Sequence, residues 1–470
     1  MGAQRSRGGH RVRDDRGVRT RRAEAGPEFP EGAGGARLGA RNHARRVART
    51  VHRLVRGGGP VTTFERDIAV VGAGRIGLPW AAVLAAVQDW QVTCVDVDET
   101  RVEEINDAEA PFAEPKLGEY MQAAVESGAM RATTDPEAVT DHEYVAFTVN
   151  APRNGMSDYV DVVESYAERL VDGQTVISRS TLPVNMVSRT RDIVERHATG
   201  DVNFAVFPER LAEGKAIAEI QTLPKVVGVD SDAGEAAVRR LLEPFECSVK
   251  VTDPETAMLV KLIDNSYRDA LFAISNQIAY TADQLDLNAH EAIDLANFEY
   301  PRNDIPLPGT VGGKCLPKDP HFLTDERVCD QPTTPDLFNF TRRTNASLQS
   351  YIVTELLLEQ PSELAMLGLS YKRDVGDVFN SPAWAIKESL QSHGVETRSY
   401  DPHIDDYDTD LETVLADADG AVLAVNHSAF EGIEPELNEH LDDDAFVYDV
   451  WGALRSERLN ARYQGFGISE

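Results

Sequence analysis

The first ordered pattern of apolar and polar positions begins at Ile68. A short apolar run, 68–71, is followed by a glycine turn, a helical stretch at 78–87 and a second run at 92–96. Strand, turn, helix and strand make one βαβ unit. Further runs at 144–149, 174–178, 203–207 and 225–229 read as strands, with helical stretches between them. Such alternation predicts a mostly parallel, doubly wound sheet. From Pro254 to about Ser350 the character changes. Residues 256–285 contain neither proline nor glycine and predict one long helix. A second βαβ-like pattern opens near Leu364, with strands at 365–369, 396–400, 420–425 and 446–450 and a helix at 383–392. The fold class is therefore α/β: two Rossmann-like doubly wound domains joined by a central helical domain with one long helix. The expected limits are 64–250, 251–350 and 351–470, preceded by an N-terminal extension, 1–63.

Charge sets that extension apart. Residues 1–60 hold 15 arginines, no lysine and five acids, leaving 32 basic and 73 acidic residues for 61–470. Arginine without lysine, among many glycines, reads as a basic tail for nucleic acid, a disordered segment, or translated GC-rich sequence absent from the native protein. The last two are the expectation. An acidic body is repelled by nucleic acid and by anionic membranes. No run of 18 uninterrupted apolar residues and no signal peptide is readable, so neither a membrane partner nor export is expected. Abundant acids with only nine lysines resemble proteins that work in concentrated salt, and a halophilic source is expected. The four cysteines, at 94, 247, 315 and 329, form no C-x-x-C. Neither a zinc site nor a disulfide is expected, which fits a cytoplasmic protein.

Two segments carry chemistry. Gly72-Ala73-Gly74-Arg75-Ile76-Gly77 matches G-x-G-x-x-G between a strand and a helix, and Asp96 ends the next strand. Glycines there let backbone N–H groups approach a pyrophosphate, and an acid at that distance accepts from a ribose hydroxyl. Its charge disfavours a 2′-phosphate, so the expected cofactor is NAD rather than NADP. Arg75 is expected either to face solvent or to lie against the pyrophosphate. The second segment is Gly312-Gly313-Lys314-Cys315-Leu316-Pro317-Lys318-Asp319. A thiol beside paired glycines, with an acid four residues on, points to a nucleophile. A helix N-terminus and neighbouring lysines are expected to lower its pKa. Glu209 with Glu213, and Lys261 with Asn265, share the four-residue spacing of one helical turn. In isolation each pair reads as an ordinary solvated helix face.

Together these segments resemble the UDP-glucose/GDP-mannose dehydrogenase family. The resemblance runs over roughly 66–455. It includes Gly77-Leu78-Pro79, Ala113-Glu114-Pro115, Ser180-Thr181, Pro208-Glu209 through Glu213-Gly214, Lys261 with Asn265, and Gly313 to Asp319. It continues through Leu367 to Lys372, Ser381-Pro382 and Asp401-Pro402. The resemblance implies an NAD-dependent, four-electron oxidation of a sugar C6 alcohol to a carboxylate. Carried over, Cys315 is the nucleophile, and Lys261 and Asn265 stabilise the oxyanion. Asp319 and Glu213 orient or activate water, while Glu209 and Thr181 are further site positions. Arg302, Lys372 and Gly313 lie on the nucleotide-sugar side. The implied assembly is a homodimer, or a higher homo-oligomer, built on the long helix, with Arg302 reaching across the interface.

There are departures. The family carries arginine near the position of Phe379, Thr-Pro near Asn150-Ala151-Pro152, and often an aromatic at Arg75. Pro208-Glu209-Arg210 and 319–323 look like the branch acting on UDP-N-acetylhexosamines, whereas 315–319 resembles the UDP-glucose branch. The favoured substrate is UDP-N-acetyl-D-mannosamine or its gluco isomer, with UDP-glucose as the alternative. A two-electron hydroxyacid dehydrogenase and a non-catalytic nucleotide-binding protein are the readings of a different class.

Overall fold

A computed structural model describes residues 66–152, 156–245, 247–324, 336–442 and 444–468. The expected extension, 1–63, and Cys329 lie outside the described residues.

The first sheet has eight strands: β1 (Asp67–Val71), β2 (Gln91–Val95), β3 (Met130–Thr133), β4 (Tyr144–Phe147), β5 (Thr175–Ser178), β6 (Asn203–Val206), β7 (Lys225–Val229) and β8 (Val249–Thr252). Their order is β3-β2-β1-β4-β5-β6-β7-β8. All pairs are parallel except β6 with β7. The first six strands follow the 3-2-1-4-5-6 dinucleotide-binding order, so the chain reverses direction of travel between β1 and β4. Apolar side chains fill both faces, with Ile68, Val70 and Trp80 on one and Val71, Phe147 and Tyr159 on the other. That two-sided burial is why the strands read as continuous apolar runs.

The second sheet contains β9 (Glu363–Leu367), β10 (Glu396–Tyr400), β11 (Gly420–Leu423), β12 (Phe446–Asp449) and β13 (Arg462–Gly465), ordered β10-β9-β11-β12-β13 and wholly parallel. Asp401, just beyond β10, accepts from the N–H groups of Leu369 (2.7 Å), Ser370 (3.0 Å) and His403 (2.9 Å). Burial alone would raise this carboxyl. The bond from His427, with those from Leu369 and His403, outweighs it and brings the carboxyl down to about 2.

β3, β8 and β13 have no counterpart among the expected strands. All three are edge strands, with burial on at most alternate residues, so they lack an apolar run. Conversely, the reading carries β4, β9 and β11 two residues too far. Thr148, Val149, Gly368, Leu369, Ala424 and Val425 are mostly buried but already in the loops.

The long helix spans Pro254–Leu285, 32 residues and about 48 Å. Asp253 caps it, accepting from Thr256 N–H at 2.8 Å, and Pro254 occupies the first turn. Its buried face is partly polar: Lys261, Asn265, Asp269 and Asn276 point inward. Asp269 pairs with Arg342 of the helix Leu337–Leu358 and accepts from Asn345 at 2.9 Å. Asn276 donates to Asn345 (3.0 Å) and to the Gly309 carbonyl (3.1 Å), and accepts from Gly309 N–H (2.9 Å). Burial pushes the Asp269 carboxyl up, and Arg342 and Asn345 pull it back. Removing one partner of a buried pair strands the other charge, at a cost of about 3–5 kcal/mol. Asp269→Ala is therefore expected to destabilise the protein by about that much in denaturant melts at neutral pH, far more than Asp264→Ala, which removes only a partly solvent-exposed pair with Arg210 on the same helix.

Candidate active site

The cofactor-side residues come together at the switch between β1 and β4. Gly72 takes φ +93° immediately after β1. A Cβ on Gly77 would stand 2.0 Å from the Gly72 carbonyl and 2.4 Å from Thr148 Oγ1, so the start of the helix Gly77–Val87 touches the strand ends. Only glycine permits that approach. Asp96 accepts from Ala73 N–H at 2.7 Å and from Asp98 N–H at 3.1 Å, which sets its carboxylate beside the turn. A bare backbone cradle, a helix N-terminus and a strand-end acid fit a dinucleotide. Gly74 and Ile76 belong to the same turn. Arg75 is turned toward the loops beyond the glycine turn. It pairs with Glu213, stands 3.4 Å from Asp377 and lies over the Phe112 ring.

The second group gathers on the buried face of the long helix. Lys261 and Asn265 are 6% and 5% exposed, one turn apart. Asn265 donates to Asp319 Oδ2 at 2.6 Å. Asp319 N–H returns to the Cys315 carbonyl at 2.9 Å, closing a single turn that keeps thiol and carboxylate together. Lys318 sits 3.6 Å from Asp319 and donates to the Ala151 carbonyl at 3.3 Å, at the Asn150-Ala151-Pro152 departure. The expectation of a lowered thiol pKa is overturned. Residues 313–320 form turns, not a helix N-terminus, and Lys314 reaches away to Asp377 at 3.0 Å. Cys315 presents surface to solvent, but protein crowds the thiol itself. That burial pushes its pKa above the ordinary value; Asp319 adds to the rise, and Lys261 and Lys318 oppose it.

Glu213 joins the two groups. It accepts from Arg75 and from the Tyr371 hydroxyl, and its carbonyl accepts from Lys372 at 2.9 Å. Glu114 secures its loop by accepting from Gly214 and Ala216 N–H, both at 2.8 Å. Gly313, at φ +81°, lies under Tyr371, where a Cβ would meet the ring at 2.6 Å. Glu209, by contrast, is turned to Arg179, a buried guanidinium held 4.0 Å from the Trp80 ring centre and 4.3 Å from that of Phe207. Thr181 is half-buried after β5 and makes no hydrogen bond among the described residues. Arg302 is exposed, over Tyr300 at 4.7 Å. Phe379, where the family carries arginine, is exposed beneath Lys314.

Sequence reasoning missed Tyr371, Asp377 and Arg179 as parts of this network. Their partners lie 158, 302 and 30 residues away, and no spacing rule reaches that far. Glu114 was visible only as part of a matching tripeptide.

Comparison with known proteins follows the same division. Residues 66–246 match the NAD binding domain of the UDP-glucose/GDP-mannose dehydrogenase family, 255–347 its central domain and 365–456 its UDP binding domain. The UDP-N-acetyl-D-mannosamine dehydrogenase of Methanococcus aeolicus is 30% identical over 420 residues, covering 85% of this chain and 94% of that protein. The NDP-N-acetyl-D-galactosaminuronic acid dehydrogenase of Ralstonia solanacearum is 31% identical, covering 84% and 98%. The solved UDP-D-ManNAc dehydrogenase of Pyrococcus horikoshii superposes with a TM-score of 0.78 at 28% identity, over 85% of this chain and 99% of that one. With all three domains matched in order around a glycine turn built for a dinucleotide, this chain belongs to the UDP-glucose/GDP-mannose dehydrogenase family of NAD-dependent nucleotide-sugar dehydrogenases.

Proposed function

We propose that this enzyme oxidises C6 of a UDP-N-acetylhexosamine, with UDP-N-acetyl-D-mannosamine or its gluco isomer favoured, to the uronate through a thioester on Cys315. The observation that carries the reading is the turn of Cys315 and Asp319 tied by Asp319 to Asn265, which shares the buried face of the long helix with Lys261. Near full-length similarity to UDP-N-acetyl-D-mannosamine dehydrogenases supports the sugar. Equal similarity to an NDP-N-acetyl-D-galactosaminuronic acid dehydrogenase keeps the galacto epimer as a second reading.

Gly72, Gly74, Gly77 and Asp96 would hold NAD, which supplies a hydride acceptor for each of the two oxidations. The chain's own groups do the rest. After the alcohol becomes an aldehyde, Cys315 Sγ bonds C6, and the carbonyl oxygen gains negative charge. The Lys261 ammonium and the remaining N–H of the Asn265 amide would stabilise it. Asp319 fixes the Asn265 amide. After the second oxidation the sulfur is part of a thioester. Water, oriented by Asp319 and Glu213, attacks it, and the C–S bond breaks to return the thiol and release the carboxylate. Lys372 and Gly313, at the Tyr371 loop, would hold the nucleotide sugar.

The assembly we infer is a homodimer. Leu259, Ile263, Tyr267 and Ile274 leave an apolar strip exposed along the long helix, and Arg302 stands beside exposed Tyr300 and Phe298. A cytoplasmic setting belongs to the same proposal, on the cysteine spacing, which contains no C-x-x-C. No described helix is long and apolar enough to cross a membrane.

Two NADH per UDP-sugar are expected from the wild-type enzyme, measured against a panel of UDP-hexoses and GDP-mannose. Cys315→Ser is expected to yield no uronate, because an alcohol replaces the thiolate nucleophile; one NADH per product from wild type would reject the four-electron route. Alkylation of Cys315 by iodoacetamide should rise with pH to an inflection above the ordinary thiol value of about 8.5. Asp319→Asn is expected to move that inflection down and Lys261→Met to move it up. For the acid-rich surface, melting temperature and rate are both expected to climb between 0.1 and 2 M KCl, since the screening length shrinks from about 10 Å to below about 3 Å.

A further inference from the structure

Arg75 sits in the cofactor turn, yet both of its charged partners, Glu213 and Asp377, lie on loops outside that turn. One guanidinium nitrogen pairs with Glu213, and the other is 3.4 Å from Asp377 Oδ2. The same Oδ2 receives Lys314, next to the nucleophilic cysteine, at 3.0 Å. Asp377 is only 10% exposed at its side chain. Its Oδ1 accepts from Phe379 N–H at 2.8 Å, and its carbonyl accepts from Tyr371 N–H at 2.9 Å. Tyr371 then closes the circuit on Glu213. One arginine thus joins the glycine turn, the Glu213 loop and the 371–380 loop of the second sheet, and through Asp377 the cysteine loop.

We propose that Arg75 is a positioning residue that bridges Glu213 and Asp377, and so fixes the Cys315 and Glu213 loops against the bound cofactor. The proposal rests on the dehydrogenase reading above and deepens it. Guanidinium geometry suits this task. Its fork presents N–H groups in two directions at fixed separation, whereas an ammonium is a single point charge. Magnitudes separate positioning from mere stabilisation. The Arg75 side chain is 36% exposed, and ion pairs that open to solvent contribute little to stability. Misplacing reacting groups by about 1 Å costs up to about a hundredfold in rate. The bridge therefore matters for turnover far more than for folding. Asp377 keeps Lys314 when Arg75 is removed, and what is lost is the tie that holds the Glu213 loop and the 371–380 loop to the cofactor turn.

The test uses full-length Arg75→Met, Arg75→Lys, Asp377→Asn and the Arg75→Met/Asp377→Asn double variant. We expect Arg75→Met to lower kcat at saturating NAD by about tenfold or more. Arg75→Lys should recover little of that loss. The double variant should fall no further than the worse single, because both remove one bridge. NAD affinity by calorimetry is expected within about threefold of wild type, and the melting temperature within a few degrees. Independently of any substrate, Arg75→Met should speed hydrogen exchange across 211–216 and 371–380. That readout stands even if the wild-type enzyme turns over none of the nucleotide sugars, an outcome that would reject the proposed function alone. Unchanged kcat with unchanged exchange, full recovery by lysine, or a loss confined to NAD affinity would each overturn the bridge.

Discussion

A strip of polar side chains buried along one helix organises the molecule. Lys261, Asn265, Asp269 and Asn276 all turn inward from Pro254–Leu285, and each must find a partner or leave a charge or dipole stranded. The partners available are few and distant in sequence. Asn265 takes Asp319; Asp269 takes Arg342 and Asn345; Asn276 takes Gly309 and Asn345. Satisfying them fixes the register of Leu337–Leu358 and the path of the chain from Gly309 to Asp319. The cysteine loop is delivered by the same pairing that holds the helices together. Buried polar networks have this property: they tolerate one arrangement and penalise near misses.

That arrangement sets a tension at the thiol. Protein packed around the Cys315 thiol, with Asp319 beside it, disfavours the thiolate even though the residue keeps surface open to solvent. The two lysines oppose burial without overcoming it. The reading in which flanking lysines activate the cysteine therefore assigns the wrong partner to Lys314, which neutralises Asp377 instead. Reactivity in this site depends on which cations face the sulfur in space, and Lys261, 54 residues from Cys315 in sequence, does so while the adjacent Lys314 does not.

The cofactor end is governed by backbone rather than by charge. Gly72 and Gly77 are packed so closely that a single methyl at Gly77 would overlap a carbonyl oxygen. Requirements of this kind are written directly in the sequence, because glycine is the residue that meets them. The same holds for the interior strands β1, β4, β5 and β11, whose two buried faces force apolar runs. It holds for the long helix, whose lack of proline and glycine over one span marks it.

Local physics therefore determined the α/β class, the dinucleotide turn, the long helix and the inventory of chemical groups, each of which depends on neighbours within a few residues. The edge strands β3, β8 and β13 escaped because half-exposed strands carry no apolar run. Only the tertiary structure decided which groups meet. It turned Glu209 onto buried Arg179, set Tyr371 and Arg75 on Glu213, and gave Asp377 both Arg75 and Lys314. A charged side chain at a loop tip is the same letter whether it faces solvent or a partner 302 residues away. Its partner is selected by packing and desolvation, which act through space and leave no periodic trace along the chain.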